Sequence, residues 1–370
     1  MRRLCLPLLV TISVAVSAGA RARPVETLSA IGGLPAHIAG QFSELSSCQQ
    51  TPEGEYFVFD RRGHAVYAVS PPYETARVLV QIGAEPGRLL TPSAFALGED
   101  GRFVVADTPN RRGRIQLFLA SGARVGGFTL STRDTPTMVV DNWLQSGLVS
   151  LGFTGQSVII SQPELGSLMS EYSLDGSVSR TIGALRPTGQ ETDRDVHLAL
   201  NTGLPVINPR GGFYFVFLTG EPMYRKYDAT GTLVFERHIE GPEMDEYVRT
   251  RPSSWPRRRT DEGELPIVPP AVRAAAADAD GNLWISLSVP YTYVYDTAGD
   301  KIRTVQFRAA GVVSPRSLYF TRDRRVLVTP GCSAFHSRSE AYEGARPGRR
   351  AASAAPAAAP ESPPRVLSIR

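Results

Sequence analysis

Cysteine is scarce in this chain, with three residues at positions 5, 48 and 332. Cys5 falls inside an N-terminal apolar run, which leaves Cys48 and Cys332 for the body. Two cysteines cannot by themselves make a structural zinc site, which needs four ligands. Histidine is also sparse. His37, His64, His197, His238 and His336 fall at unrelated places, so they imply neither a metal cluster nor a shared base. Long hydrophobic runs are missing: the apolar run at residues 4–16 is well short of the ~20 residues of an ordinary helical membrane span, and no later run is long enough. No long window carries a helical period. The chain has no G-x-S-x-G, no H-E-x-x-H, and no phosphate-cradling glycine loop between a strand and a helix. Net basicity is confined to the ends. Residues 1–22 hold three Arg and no acid, residues 338–370 six Arg and three Glu, and the body between them carries −2. That balance argues against a nucleic-acid partner, which needs a basic face. Arg257, Arg258 and Arg259 make one local patch.

The ends read as processing and low-complexity segments. Arg2 and Arg3 precede the apolar run, and Ala18-Gly19-Ala20 or Ala20-Arg21-Ala22 follows as a small-x-small cleavage site. This order is that of a secretory signal peptide over residues 1–22, which predicts a secreted or periplasmic protein with no transmembrane segment after cleavage. Residues 338–370 are rich in Ala and Pro and lack the apolar content to offset ordering entropy, so disorder is expected there.

Residues 23–337 repeat. GEYFVFDRRGHAVYAV begins at Gly54, GRFVVADTPNRRGRIQLF at Gly101, GQSVIISQPELGSLMSEYS at Gly155, GGFYFVFLTGEPMYRKYD at Gly211 and GNLWISLSVPYTYVYD at Gly281. A partial copy, SPRSLYFTRDRRVLVTPG from Ser314, aligns with TPSAFALGEDGRFVVADT from Thr91. Each unit reads as four short strands. A glycine turn precedes a strongly apolar second strand, and a second turn (LASGA, SLDGS, DATGT, DTAGD) precedes a more polar fourth. A period of 40–50 residues with four strands per unit predicts propeller blades. The fold class is therefore all-β: a six-bladed β-propeller of four-stranded antiparallel blades. VETLSAIGG at residues 25–33 resembles the blade ends RVLVQIGA and SRTIGA. It is expected to be the outer strand of the last blade, so that the N-terminal strand closes the ring. The third strand of that blade is left to residues 334–337 or to the terminal RVLSIR.

The second unit resembles the NHL-repeat propeller family through Pro92, Gly101, Asp107, Asn110, Arg114, Phe118 and Gly122. Elsewhere the resemblance thins to the turn glycines and to Tyr172, Tyr227 and Tyr295. It implies fold far more than function, because propellers host unrelated activities. Asp107, Asn110 and Arg114 read as architecture: an Asp after an apolar strand accepts turn N–H groups, and Arg114 pairs with it.

Ligand sites in such rings are expected where the innermost strands begin, near 44–45, 91–92, 145–146, 202–203, 271–272 and 314–315. Those positions are mostly small and neutral, with Glu44 their one carboxylate and Asn142 and Asn201 just upstream of two of them. Calcium-dependent lactonases of related shape use a Glu, two Asn and an Asp around the channel. Glu44, Asn142 and Asn201 imitate three of these without a fourth, and a hard cation wants six or more oxygens. The expected function is an exported binding or interaction module for a protein, peptide or small-molecule ligand, with no cofactor and no catalytic residues. A lactonase-like hydrolase or lyase, with calcium, is the alternative. His197 is a candidate base or ligand contact. Trp255 lies among arginines in a charged, Pro-rich loop at 240–268 and is a candidate contact in a loop expected to help form the channel mouth. An export compartment and ring closure favour a Cys48–Cys332 disulfide, whereas counting ~3.3 Å per strand residue puts the two ~10 Å apart.

Overall fold

Six near-continuous apolar runs become the second strands of six blades: Tyr56–Asp60, Phe103–Asp107, Ser157–Ser161, Phe213–Phe217, Leu283–Leu287 and Arg325–Thr329. The computed structural model describes residues 24–338 apart from 131–137, 141–142, 146–147, 149, 253 and 261–262. It buries each of these strands along its length or at all but its first residue. They are apolar at successive positions because neighbouring blades cover both faces. Each pairs antiparallel with an innermost strand: Leu45–Gln50, Ala94–Leu97, Leu151–Phe153, Gly203–Ile207, Val272–Ala277 and Ser317–Phe320. On its other side lies an antiparallel third strand, and the outer strands Arg77–Val80, Arg124–Thr129, Val178–Ala184 and Leu233–His238 are exposed or partly exposed over most of their length. The recurring second turn places a glycine at positive φ in four blades, at Gly122, Gly176, Gly231 and Gly299. In DATGT, Asp228 Oδ1 accepts the N–H groups of Thr230 and Thr232, while Gly231 takes φ 89°, which an L side chain rarely tolerates.

The chain is thus a six-bladed β-propeller. Its core is a ring of apolar layers, one between each neighbouring pair of blades, rather than a single centre. The layer between blades one and two stacks Phe103 on Phe118 at 5.1 Å and Phe59 on Phe95 at 5.7 Å. Contacts divide the chain into Met1–Ser337, which holds the propeller, and Arg338–Arg370. The signal-peptide and tail expectations, and RVLSIR, lie outside the described residues.

Ring closure differs in detail from expectation. The N-terminal segment does not run along the last blade over its whole length. Val25–Ser29 adds a parallel fifth strand to blade five, pairing with Thr304–Arg308, and Leu28 drops into the layer between blades five and six. Only Gly32–Gly33 forms the outer strand of blade six, against Ser333 and Ala334. The third strand there is Ser333–His336, and the outer strand covers only its first two residues. A Cβ on Gly33 would stand 2.2 Å from the carbonyl oxygen of Cys332, so the close approach demands glycine.

Cys48 and Cys332 form a disulfide, with Cα atoms 5.7 Å apart. Strand counting overstates the gap because the chain does not run straight on after blade six's second strand. It turns at Gly331 (φ 90°) and Cys332 (φ 52°), and both cysteines sit in the layer between blades six and one.

Alternating strand direction puts all blade-to-blade connections on one face, where the innermost strands start. That face carries the additions to the ring: α1 (Ala36–Ala39), α2 (Arg194–Leu200), α3 (Asp245–Thr250), and two hairpins, Met138–Val140 with Trp143–Gln145 and Arg257–Thr260 with Gly263–Pro266. Among the described residues no helix is long and apolar enough to cross a membrane.

Candidate functional site: the mouth of the central channel

All six innermost strands converge on a cavity of about 500 Å³. Much of its wall is apolar, small at Ala94, Ala96, Gly152, Val272 and Ala275 and larger at Phe95, Leu204 and Phe320. The polar groups collect where the strands begin, on the connection face. Glu44 precedes the first strand of blade one, Arg316 precedes that of blade six, and Arg273 is the second residue of blade five's. Arg61 follows blade one's second strand and so returns beside Glu44, its N–H donating to the Glu44 carbonyl.

Buried Asp60 positions this group. Its carboxylate accepts the backbone N–H groups of Ser43, Glu44 and Gly63, which fixes the chain at Glu44 and the turn after Arg61. It occupies the place that Asp107 holds in blade two, where the carboxylate accepts the Leu90 N–H and two donors of Arg114. Arg114 also donates to the carbonyls of Ala84 and Arg88, and Asn110 takes the left-handed conformation of the intervening turn (φ 55°). The triplet ties blade two to the connection that enters it.

Among the described residues Glu44 is the one carboxylate of the cavity lining, and it is engaged. Arg61 donates to Glu44 Oε1 at 2.6 Å, and Arg316 Nη1 lies 3.6 Å from the same oxygen. Side-chain exposure is 15% for Glu44, 36% for Arg61 and 57% for Arg316, so the carboxylate is enclosed by cations that themselves face the mouth. Hydroxyls of Ser46, Ser93, Ser150 and Ser317 complete the rim. Among the described residues no three His, Cys, Asp or Glu come together as a metal site.

The other sequence candidates stand elsewhere. Asn142 lies outside the described residues. Asn201 is fully buried and does not line the channel: its Oδ1 accepts the Arg186 N–H, and its Nδ2 donates to the carbonyls of Arg186 and His197, closing the end of α2. His197 points into the same substructure, with Nδ1 2.7 Å from Thr188 Oγ1. Trp255 packs on Val196, Ala199, Leu200 and Val268, and Arg257 clasps Asp193 with 2.7 Å contacts to both carboxylate oxygens. Those hydrogen bonds hold the Asp193 carboxyl below its ordinary range. The 240–268 loop therefore does not form the mouth as expected: its aromatic and Arg257 anchor it to α2, and none of its described residues lines the cavity. Beneath it Arg186 is buried over the Phe217 ring at 4.1 Å, donating to the carbonyls of Leu200, Thr219 and Glu221. Burial pushes its pKa down to about 10, still cationic at neutral pH.

Sequence reading missed Arg61, Arg273 and Arg316. Two of the three stand a residue or two beyond the strand starts inferred from turn-glycine alignment, and Arg61 belongs to a different strand. The signal was local: SPRS in blade six puts an arginine where TPSA in blade two has Ser93.

No protein-family model and no curated sequence matches this chain. Among solved structures it is similar to virginiamycin B lyase from Staphylococcus aureus, with 10% identity, 76% of each chain covered and a TM-score of 0.47. It is also similar to a calcium-binding protein, regucalcin, from Agrobacterium tumefaciens, with 15% identity, 88% of this chain and 92% of that one covered, and a TM-score of 0.46. A third is a protein of unknown function from Bacteroides caccae, with 10% identity, 74% and 85% covered, and a TM-score of 0.46. Likeness this remote carries no chemistry across.

Proposed function

We propose that this chain is an exported propeller of the NHL type that works as a binding module, taking a small molecule or the end of a peptide into the mouth of its central channel. One observation carries the reading: the cavity where the six blades converge is lined by apolar walls and hydrogen-bond donors, with, among the described residues, a single carboxylate that two arginines already hold. A few polar groups over an apolar concavity is the composition of a ligand pocket. General acid–base catalysis wants a titratable group free to exchange a proton with the substrate, and Glu44 is committed to guanidinium partners. Calcium fits poorly for the same reason. A divalent ion at Glu44 would sit beside Arg61 and Arg316, and the other described residues of the lining offer no second carboxylate. Export is supported by the order of the N-terminal segments and by the Cys48–Cys332 disulfide, since such bonds persist in oxidising compartments.

The test is a thermal-shift and NMR screen of small molecules on the mature protein beside Ser93→Trp, which places a large ring at the rim. Hits should raise the melting temperature of the native protein, lose that effect in the variant, and stay chemically unchanged over hours. Hits that survive in Ser93→Trp move the site away from the channel. Ligand consumed in a Glu44-dependent way replaces this reading with the hydrolase or lyase.

A further inference from the structure

The rim has an imbalance of charge that points to the ligand's chemistry. Among the described residues that line the cavity, two guanidinium groups, Arg61 and Arg316, share one carboxylate, Glu44. Asp60, next to Arg61, is buried and its carboxylate is occupied by three backbone N–H groups. Arg61 and Arg316 both lean on the same oxygen of Glu44, Oε1. A guanidinium presents five N–H donors, so one shared oxygen leaves most of theirs directed at the mouth, where both side chains remain partly exposed. Rim hydroxyls of Ser93 and Ser150 add donors, whereas the walls below carry Ala94, Ala96 and Ala275.

Resting on the channel-binding reading above, we infer that the ligand carries an oxyanion, a carboxylate or phosphate, which is held at the rim by Arg61 and Arg316 while a compact body occupies the apolar channel. Planar guanidinium forks match both groups bidentately and bind them more strongly than neutral donors would. Glu44 then has a role opposite to that of a metal ligand. It holds the two arginines in position and competes with the incoming anion for their donors. A cavity of about 500 Å³ sits at the smaller end of ligand pockets, which suits a body of one or two rings.

The experiment is isothermal titration of the mature protein with four probes: inorganic phosphate, glucose 6-phosphate, glucuronate and glucose. The sugars share one ring and differ in the anion, so they separate phosphate from carboxylate and both from a neutral body. At least one anionic sugar should bind and glucose should not. Arg316→Ala should weaken the anion roughly tenfold, the scale of one hydrogen bond to an ionised group. Arg316→Lys should recover part of that, and raising salt should weaken binding throughout. The decisive variant is Glu44→Gln, which should tighten anion binding several-fold while the melting temperature stays close to native. A Glu44→Gln protein that loses anion binding, or anion binding indifferent to Arg316, overturns the inference. If glucose binds as well as its anionic partners and Ser93→Trp abolishes both, the channel reading stands and the oxyanion falls. If no probe binds and the small-molecule screen finds no channel-dependent hit, both fall.

Discussion

Replacing Cys48 and Cys332 with alanine should cost this protein a large part of its stability. The bond spans a sequence separation of 284 residues, close to the whole described propeller. In the chain-entropy account, opening a loop of that size returns about 19 cal/mol/K to the unfolded chain, or about 5–6 kcal/mol at 25 °C, while native disulfides lost from small domains cost about 2–5 kcal/mol. We take about 3–5 kcal/mol as the working range. A propeller of this size unfolds with an entropy of roughly 0.6–0.7 kcal/mol/K, so the melting temperature should fall by about 5–8 °C. Both side chains are fully buried between blades six and one, and Cys→Ala removes one sulfur from each, a small added packing loss. Calorimetry of the oxidised native protein, the reduced native protein and the double alanine variant supplies the assay. The second and third should agree within a degree or two. Thiol titration of the unfolded, unreduced protein should find neither Cys48 nor Cys332 free. Two titrating body thiols, or a double variant that melts with the oxidised protein, would refute the reasoning.

Three further outcomes follow from the geometry. A chain beginning at Gly40 loses both Val25–Ser29 and Gly32–Gly33, exposing the outer edges of blades five and six, and should aggregate or unfold well below the full chain in a melting experiment. Asp107→Ala leaves Arg114, only 11% exposed, without its carboxylate, and should cost about 3–5 kcal/mol in urea denaturation because a buried charge is stranded. Arg257→Ala should lower the melting temperature slightly at pH 7, by the equivalent of at most about 1 kcal/mol because both partners are about a third exposed. Since Arg257 depresses the Asp193 carboxyl, its stabilisation is complete above the unfolded carboxyl's pKa of about 3.9 and is lost as pH falls through the lower folded value. The gap between native and variant should therefore narrow from pH 7 to pH 3.

Blade number, strand order and the buried second strands were legible because they rest on local signals that repeat: an apolar run, a turn glycine, an aromatic before the next turn. Asp107 and Arg114 were legible as architecture for the same reason. What sequence could not place was whatever depends on which segments meet across the ring. The split of residues 25–33 between two blades depends on partners at the other end of the chain, residues 304–308 and 333–334. Trp255 and three neighbouring arginines look like a contact surface in sequence. In space the ring lies on α2 and Arg257 on Asp193, so deleting residues 252–264 should cost stability rather than leave it unchanged. Glu44 was found as the channel's carboxylate. Its arginine partners come from two different blades, one of them at the far end of the chain, and no spacing rule joins residue 44 to residue 316.

The N-terminal closing strands also govern the order of biosynthesis. Residues 25–33 leave the ribosome before almost all of the propeller, yet their partners are residues 304–308 and 333–334. At roughly 5–20 residues per second, about 15–60 s pass between synthesis of the closing segment and synthesis of its last partner. Throughout that interval the blades made so far stand as an open arc with an unpaired edge. The ring cannot close until its last blade exists. The same interval is when a holding chaperone has most to do, so depleting one should trap this protein as soluble, open-edged intermediates more readily than a propeller closed by its own C-terminal strand.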